Sequence, residues 1–339
     1  MGLVISEIIP RKEISLKDLK GKVIAIDAFN TLYQFLTTIR QVDGTPLMDK
    51  NKKITSHLSG LFYRNINLLQ EGIKPIYVFD GKPSELKHGE IVSRMKAKEE
   101  AREKYEEARE NEDEEGMRKY SAQFVKMTDD VIKESKELLD ALGIPVIQAV
   151  GEGEGEAACL ARQGIAWASA SQDYDSLLFG ATRLVRNLTL ARKRKTVSGY
   201  VEVNPELIEF DHLLNQLQIN REQLICLGIL VGTDFNPGGV KGIGQKRALD
   251  IVRKYQYAVR IFEAVKNDPK YQIDFEWQDI FKLFNDPGCI KEPEVVFKKV
   301  DKDRVREILS KRDFSLERIN SGLDKLSEIE EKKKQKTLF

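Results

Sequence analysis

The run Pro75-Ile76-Tyr77-Val78-Phe79-Asp80 is a short apolar stretch that ends on a carboxylate. Three other short apolar runs accompany it: Val23-Ile24-Ala25-Ile26, ending at Asp27; Ile144-Pro145-Val146-Ile147; and Ala166-Trp167-Ala168-Ser169-Ala170-Ser171, which leads to Asp173. Continuous apolar runs of this length suit strands covered on both faces. Helical stretches lie between them, from Thr55 to Gln70 and from Asp129 to Leu142. The alternation predicts an α/β fold with a mainly parallel central sheet flanked by helices. Ligands of such sheets bind outside the carboxyl ends of the strands. Asp27, Asp80, Asp173 and Asp175 are therefore expected on one rim. Glu152-Gly153-Glu154-Gly155-Glu156 follows the 144–147 run, and Asp234 ends a later apolar segment.

Converging carboxylates repel unless they hold protons or cations. Hard oxygen donors point to Mg²⁺ or Mn²⁺. Two such ions can clamp the attacking and leaving oxygens of a phosphodiester. Taken singly, each Asp is better explained as a strand-end turn or a helix N-cap; the repeated placement is what argues for a site. A carboxylate pair working on a sugar would need only two acids.

The 339 residues carry 55 Lys+Arg against 54 Asp+Glu, so the chain is not a uniformly basic nucleic-acid coat. Any DNA contact must come from local segregation of charge. A hydrophobic fraction of 41% excludes disorder of the whole chain. The high charge density and sparse cysteine also fit a heat-adapted cytosolic protein. Cys159, Cys226 and Cys289 lie far apart and there are only three His, so neither a disulfide framework nor a Cys/His zinc site is expected. No apolar run nears the roughly 20 residues of a membrane span, and the N-terminus lacks a signal-peptide core. A cytoplasmic chain without a membrane role is expected. Met1-Gly2 with Ser6 fits the short myristoylation pattern, but no polybasic segment follows it.

Two further segments stand out. From about Lys82 to Lys126 the composition changes: charge dominates from Arg94 to Lys119, and Ala97, Ala101, Tyr105 and Ala108 make only a thin apolar stripe. Read alone, this is a solvated helix held by i,i+4 pairs. Lys87 and Arg94 stand two helical turns apart and could share one side. The second segment is Gly239-Val240-Lys241-Gly242-Ile243-Gly244, followed by Lys246-Arg247. Its glycines let backbone N–H groups approach a phosphate at a helix N-terminus. That is the form of a helix-hairpin-helix turn, which grips duplex backbone without reading bases.

With these residues in view, the chain resembles the flap endonucleases, structure-specific 5′ nucleases, in their archaeal type. The resemblance rests on Met1-Gly2, Ile26-Asp27-Ala28, Tyr33-Gln34-Phe35-Leu36 with Arg40, Val78-Phe79-Asp80-Gly81-Lys82-Pro83, and Leu86-Lys87 through Arg94. It continues through Gly153-Glu154-Gly155-Glu156-Ala157, Gln172-Asp173-Tyr174-Asp175, and Gly232-Thr233-Asp234 with the hairpin after it. It runs in order over essentially the whole chain.

The resemblance implies a 5′ flap endonuclease and 5′–3′ exonuclease of DNA replication and repair, acting by two-metal-ion hydrolysis. Its metal ligands would be Asp27, Asp80, Glu154, Glu156, Asp173, Asp175 and Asp234, holding two Mg²⁺ for which Mn²⁺ may substitute. Lys87 and Arg94 would be catalytic contacts to the scissile phosphate. Tyr33 would stack on a neighbouring base, and Arg40 would lie near the same site. The turn through Gly239, Val240, Gly242, Ile243 and Gly244, with Lys246 and Arg247, would bind duplex with the help of K⁺. The charged segment from Lys87 to Lys126 would be a helical arch. The implied organisation is a nuclease region over 1–98, the arch over 82–128, and a second nuclease region over 129–260 with the hairpin near 228–255. A helical part over 261–325 and a tail over 326–339 follow. Branched DNA and a sliding clamp would be the partners of a monomer.

Two departures qualify the match. Ala149-Val150-Gly151-Glu152-Gly153-Glu154 reads as longer than the family's Ala-Pro-Ser-Glu, which leaves Glu152 competing with Glu154. In the tail, Gln335, Leu338 and Phe339 give only part of the clamp motif Gln-x-x-Leu-x-x-aromatic-aromatic. Two rivals remain at this point: a non-catalytic DNA-junction binding module, which has no use for so many acids, and a small-substrate phosphatase, which has none for the arch or hairpin.

Overall fold

The computed structural model describes all residues except 1, 2, 4, 42, 43, 83, 112, 190–192, 197, 198 and 337–339. The strands are β1 (Lys12–Glu13), β2 (Val23–Asp27), β3 (Lys74–Phe79), β4 (Val146–Gln148), β5 (Ala168–Ala170), β6 (Arg183–Arg186), β7 (Lys193–Thr196), β8 (Gly199–Glu202) and β9 (Glu206–Glu209). Seven of them form one sheet in the order β1-β9-β6-β5-β2-β3-β4, and β7 and β8 pair as a separate hairpin. The five strands from β4 to β6 run parallel, with Ile26 opposite Tyr77 and Ala170, and Phe79 opposite Gln148. At the far edge β9 pairs antiparallel with β6 and with β1. This is the mixed, mainly parallel sheet that the apolar runs predict.

The helices are α1 (Ala28–Thr38), α2 (Ser56–Gln70), α3 (His88–Glu110), α4 (Glu114–Ser121), α5 (Asp129–Ala141), α6 (Gly153–Arg162) and α7 (Asp175–Leu178). They continue as α8 (Phe210–Leu217), α9 (Arg221–Val231), α10 (Gln245–Tyr255), α11 (Ala258–Asn267), α12 (Trp277–Asn285), α13 (Lys302–Ser310) and α14 (Leu316–Lys336). No helix among the described residues is long and apolar enough to cross a membrane.

Side chains of a strand alternate between faces. Ile24, Ile26, Tyr77 and Phe79 join the core beneath α1, α2, α5, α13 and α14. Ala25, Ile76 and Val78 face the other way, onto Ala157 and Leu160 of α6. Both faces are covered, which is why these strands read as unbroken apolar runs. A third core gathers α7 to α12 into a lobe beside the sheet, with Leu227, Leu230, Val240, Ile243 and Val252 at its centre.

The charged segment forms an antiparallel helical pair, α3 against α4. It is thinly packed: Ala101 and Ala108 are the buried apolar residues of α3. Gly116 lies so close to Ala108 that a Cβ there would clash at 2.9 Å. Tyr105 and Phe124 meet edge-on at 5.3 Å.

One covalent link departs from the sequence reading, which expected no disulfide framework. Cys159 on α6 is joined to Cys289 in the irregular segment after α12. The two cysteines are 130 residues apart, and only the tertiary fold brings them together. Cys226 is buried and unpaired.

Candidate active site

Because β2, β3, β4 and β5 are parallel neighbours, the residues at their carboxyl ends share one rim. Asp27 is the last residue of β2 and also the N-cap of α1, accepting a hydrogen bond from the Asn30 backbone N–H at 3.0 Å. Asp80 follows β3, and its Oδ1 accepts from the Gly153 N–H at 2.7 Å, so the first turn of α6 is docked on it. Glu154 Oε1 accepts from the backbone N–H of Ser176 at 2.9 Å and from its hydroxyl at 2.8 Å. Asp173 accepts from Asn30 Nδ2 at 2.8 Å, and Asn30 Oδ1 in turn accepts from the Gln172 N–H at 3.3 Å. Asp175 begins α7 and is 5% exposed. Asp234 comes from the far lobe and meets Arg94 Nη2 at 3.0 Å.

The acids sense one another. Burial first, then Asp80 and Glu154, push the Asp27 carboxyl well above the ordinary carboxylate range. Burial and then Glu154, Asp234 and Asp173 do the same to Asp175. Glu154 rises to about 8 through burial and the neighbouring Asp173. Asp80 is raised by burial and Glu152, and Asp173 by burial and Asp234.

Two cations of the arch base face this rim. Lys87 ends the short 3-10 turn before α3, and its Nζ contacts Glu152 Oε2. Burial opposes the lysine's charge, but Glu152, Asp234 and Asp80 outweigh it and raise the pKa. Lys87 also sits 5.2 Å above the Phe235 ring. Arg94 lies within α3 and reaches Asp234 across the gap between the lobes. The pair the sequence placed on one helical side thus reaches the site from a turn and a helix.

Glu156 does not join the rim. Two positions along an α-helix amount to about 200° of rotation, so Glu154 and Glu156 point to opposite sides of α6. The Glu156 carboxylate is buried and accepts from the Ile290 N–H at 3.1 Å, and burial raises its pKa with no rim acid contributing. Glu152, the N-cap of α6, occupies the place beside Asp80 instead. The sequence named the helix correctly but counted its glutamates one step too far along. Asn30 and Ser176, which hold Asp173 and Glu154, carried no motif; Asn30 was visible only as the third residue after a strand-ending Asp.

Among the described residues no three His, Cys, Asp or Glu are drawn up as a ready cation cage. Backbone N–H groups, Ser176, Lys87 and Arg94 engage the carboxylates instead. The donor set still fits hard divalent cations. It is all oxygen, it is desolvated, and Asp175 Oδ1 is buried without a hydrogen-bond partner.

The other expected residues fall in three places. Tyr33 is half-buried, its hydroxyl donates to the Val125 carbonyl at 2.9 Å, and Lys98 Nζ lies 4.9 Å above its ring. Arg40 does not face the rim: it donates to the carbonyls of Thr37, Gly44 and Ser121 and to the Ser121 hydroxyl, fastening the end of α1 to the end of α4. The 232–244 turn joins α9 to α10. Gly239, at φ +56°, packs so tightly that a Cβ would meet the Leu230 carbonyl at 2.4 Å, and the Val240 N–H bonds that same carbonyl at 2.9 Å. The Ile243 N–H donates to the Val240 carbonyl, while Gly242 and Gly244 are exposed and the Gly244 carbonyl accepts from the Ala248 N–H of α10. Lys246 and Arg247 are exposed on the first turn of α10. Gln335, Leu338 and Phe339 lie outside the residues whose side chains the structure describes.

Known proteins bear on this arrangement. Residues 3–101 match the XPG N-terminal domain and residues 143–234 the XPG I-region. Flap endonuclease 1 of Aeropyrum pernix is 50% identical over 333 residues, covering 96% of this chain and 94% of the relative. That of Pyrococcus furiosus is 50% identical over 341 residues, covering 100% and 98%. Among solved structures, the flap endonuclease-1 from Methanococcus jannaschii superposes with a TM-score of 0.75 at 40% identity, covering 96% of this chain and 98% of that one. The catalytic core of Rad2 in complex with DNA substrate shares the fold, with a TM-score of 0.72 at 22% identity and 95% and 97% coverage. With acids on the rim, cations at the arch base and a glycine hairpin beside them, this chain belongs to the flap endonuclease 1 family and is a structure-specific flap endonuclease, a nuclease that hydrolyses phosphodiester bonds.

Proposed function

We propose that the enzyme cuts at the base of 5′ flaps on branched DNA, and trims 5′ ends, with two divalent cations at the sheet rim. Divalent metal use comes with the family; the pair of Mg²⁺, replaceable by Mn²⁺, is the finer reading. Asp27, Asp80, Glu152, Glu154, Asp173, Asp175 and Asp234 would hold them, with Glu152 taking the place first given to Glu156. When bound, the cations supply Lewis acidity to the attacking water and to the leaving oxygen.

The chain's own residues do the rest. Lys87 and Arg94, now turned to Glu152 and Asp234, offer their donors to the scissile phosphate as it gains charge. Tyr33, its hydroxyl tied to Val125, presents a ring of fixed orientation for a base. Arg40 holds the arch base in place rather than touching the phosphate. The 238–247 turn grips the duplex arm, and the exposed residues Gly242 and Gly244 are where a phosphate and a K⁺ ion would approach. The remaining finer readings are a monomer, a cytoplasmic, nucleoid-associated location, and a sliding clamp held by the tail. The neighbouring Rad2 core is bound to a DNA substrate in its solved complex, which supports DNA as the partner.

The observation that carries this reading is the meeting of carboxylates from four parallel strand ends and the far lobe beneath two arch cations. The test is incubation with matched 5′-flap and 3′-flap duplexes, in Mg²⁺ and in EDTA. Cutting confined to the 5′ flap and abolished by EDTA is the expected result. Equal cutting of both flaps, or cutting in EDTA, overturns it.

A further inference from the structure

Tyr271 belongs to no motif. It lies in the turn after α11, where its N–H donates to the Asp268 carbonyl at 3.0 Å. Its ring packs against the lobe core and reaches the hairpin: a Cβ at Gly242 would stand 3.7 Å from the ring edge, an ordinary contact distance. On the other side the Arg247 guanidinium lies 5.3 Å from the ring centroid, within cation–π range. Tyr271 thus lies beside Gly242 of the turn and beneath a cation of the helix that follows it.

The two cations of that helix are held differently. Lys246 Nζ is 3.5 Å from Glu7, a contact between two exposed side chains. Arg247 makes no ion pair among the described residues, and its partner is a neutral ring. A ring orients a guanidinium without neutralising it, so the whole charge stays available to an incoming anion. A long side chain already held by stacking also loses less rotamer freedom when it binds. The Tyr271 hydroxyl is buried and has no hydrogen-bond partner among the described residues. A group so enclosed does not contact DNA, which leaves the ring as the working part.

We propose that Tyr271 is a positioning residue of the DNA grip, whose ring holds Arg247 beside the Gly242 turn so that the guanidinium meets a duplex phosphate already in place. The inference rests on the reading of this turn as a duplex grip.

Binding of a 5′-flap duplex in EDTA, titrated with salt, tests it. Tyr271→Phe keeps the wild-type Kd and salt slope. Tyr271→Leu weakens binding about two- to fivefold, the range of an exposed cation–π contact, and flattens the log–log salt slope by up to about 0.9, one phosphate contact. The same Leu substitution adds nothing in an Arg247→Ala background, and the loss falls on Kd rather than on the saturated single-turnover rate. Arg247→Lys, an exposed change that leaves the core intact, keeps the charge but loses the planar stack and shows a partial loss of the same kind. Three results overturn the inference: wild-type binding by Tyr271→Leu, equal damage from Leu with and without Arg247, or a Phe variant as weak as Leu. Wild-type binding by a Lys246→Ala, Arg247→Ala double variant removes the duplex-grip reading itself. If that double variant binds poorly while Tyr271→Leu binds normally, only the role of Tyr271 falls.

Discussion

Asp27 and Asp175 sit at the rim 7% and 5% exposed, on a strand end and a helix start whose neighbours Ile26 and Leu177 are 1% and 0% exposed. Arg94 sits on α3, a helix of 23 residues that buries only Ala101 and Ala108 among its apolar residues. One half of the reaction centre is therefore fixed by close packing on both faces of a sheet. The other half is fixed by a few polar ties at the arch base: Lys87 to Glu152, Arg94 to Asp234, Arg40 to Ser121 and Tyr33 to Val125. Regions with few buried apolar contacts open at low free energy. The rim holds its shape without substrate, whereas the arch is placed largely by the charges it faces. The contrast separates the two jobs, since holding cations needs rigid oxygens and admitting a DNA strand needs a part that gives way.

The largest expected effect lies on the rigid side. Asp175→Ala should lose more single-turnover cleavage than the roughly 10²–10³-fold worth of one preorganised donor. Flap binding in EDTA should stay near normal, because the change removes negative charge facing the DNA. Wild-type cleavage by this variant would take Asp175 out of the site. Within α6, Glu152→Gln should follow Asp175→Ala, while Glu156→Gln should cleave within about threefold of wild type. The reverse order would restore Glu156 to the rim.

Next comes the arch. Arg94→Ala should slow single-turnover cleavage on the order of 10²–10³-fold, roughly 2.7–4 kcal/mol, with little change in Kd. Arg94→Lys should recover only part of that, lacking the two-pronged contact. A rate within threefold of wild type would return the arch to a solvated helix.

A stability effect without a matching chemical one is expected from the disulfide. Cys159 and Cys289 close a long loop, and by chain entropy such a bond is worth about 5 kcal/mol. Cys289→Ser should lower the Tm measured without reductant, and added dithiothreitol should bring wild type down to the variant. An unchanged Tm in reductant would show that the 286–301 segment is held by its hydrogen bonds alone.

The smallest effect separates two kinds of charge. The rim carboxylates are raised, but around Arg312, near the start of α2, two others are lowered. Asp49 is held down first by the Lys53 N–H and then by Arg312. Burial would raise Glu134, but hydrogen bonds from His57 and Arg312 overcome it. A carboxylate lowered on folding adds stability above its unfolded pKa, about 4, and loses it as pH falls through the folded value. The Tm gap between wild type and Arg312→Ala should therefore be full at pH 7 and narrow steadily as pH falls below about 4. A gap of unchanged width from pH 7 to pH 2 would assign Arg312 a packing role instead.

The strands and the acids at their ends were legible in the sequence, because buried parallel strands leave unbroken apolar runs and a carboxylate repeated after several of them marks one rim; the basic pair of the arch came only from the resemblance, since its segment read alone is a solvated helix. The glutamates were not legible in the same way. Glu152, Glu154 and Glu156 alternate with glycine, and which of them face the rim depends on where α6 begins. That start is fixed by the Gly153 N–H on Asp80, a contact across 73 residues. Arg40 carries a charge suited to DNA, yet its donors are taken by the arch base, which composition cannot reveal. Cys159 and Cys289 meet only after the lobe has folded back on α6.

That same bond sets the covalent topology of the molecule. Residues 159–289 form a closed ring that contains the β7–β8 hairpin, the glycine turn and α8 to α12. A protease cut inside the ring leaves the polypeptide in one piece on a non-reducing gel, and only reduction releases two fragments. A cut at the α3–α4 connection lies outside the ring and yields two fragments at once. The thinly packed α3–α4 pair is thus also the part whose cleavage divides the chain.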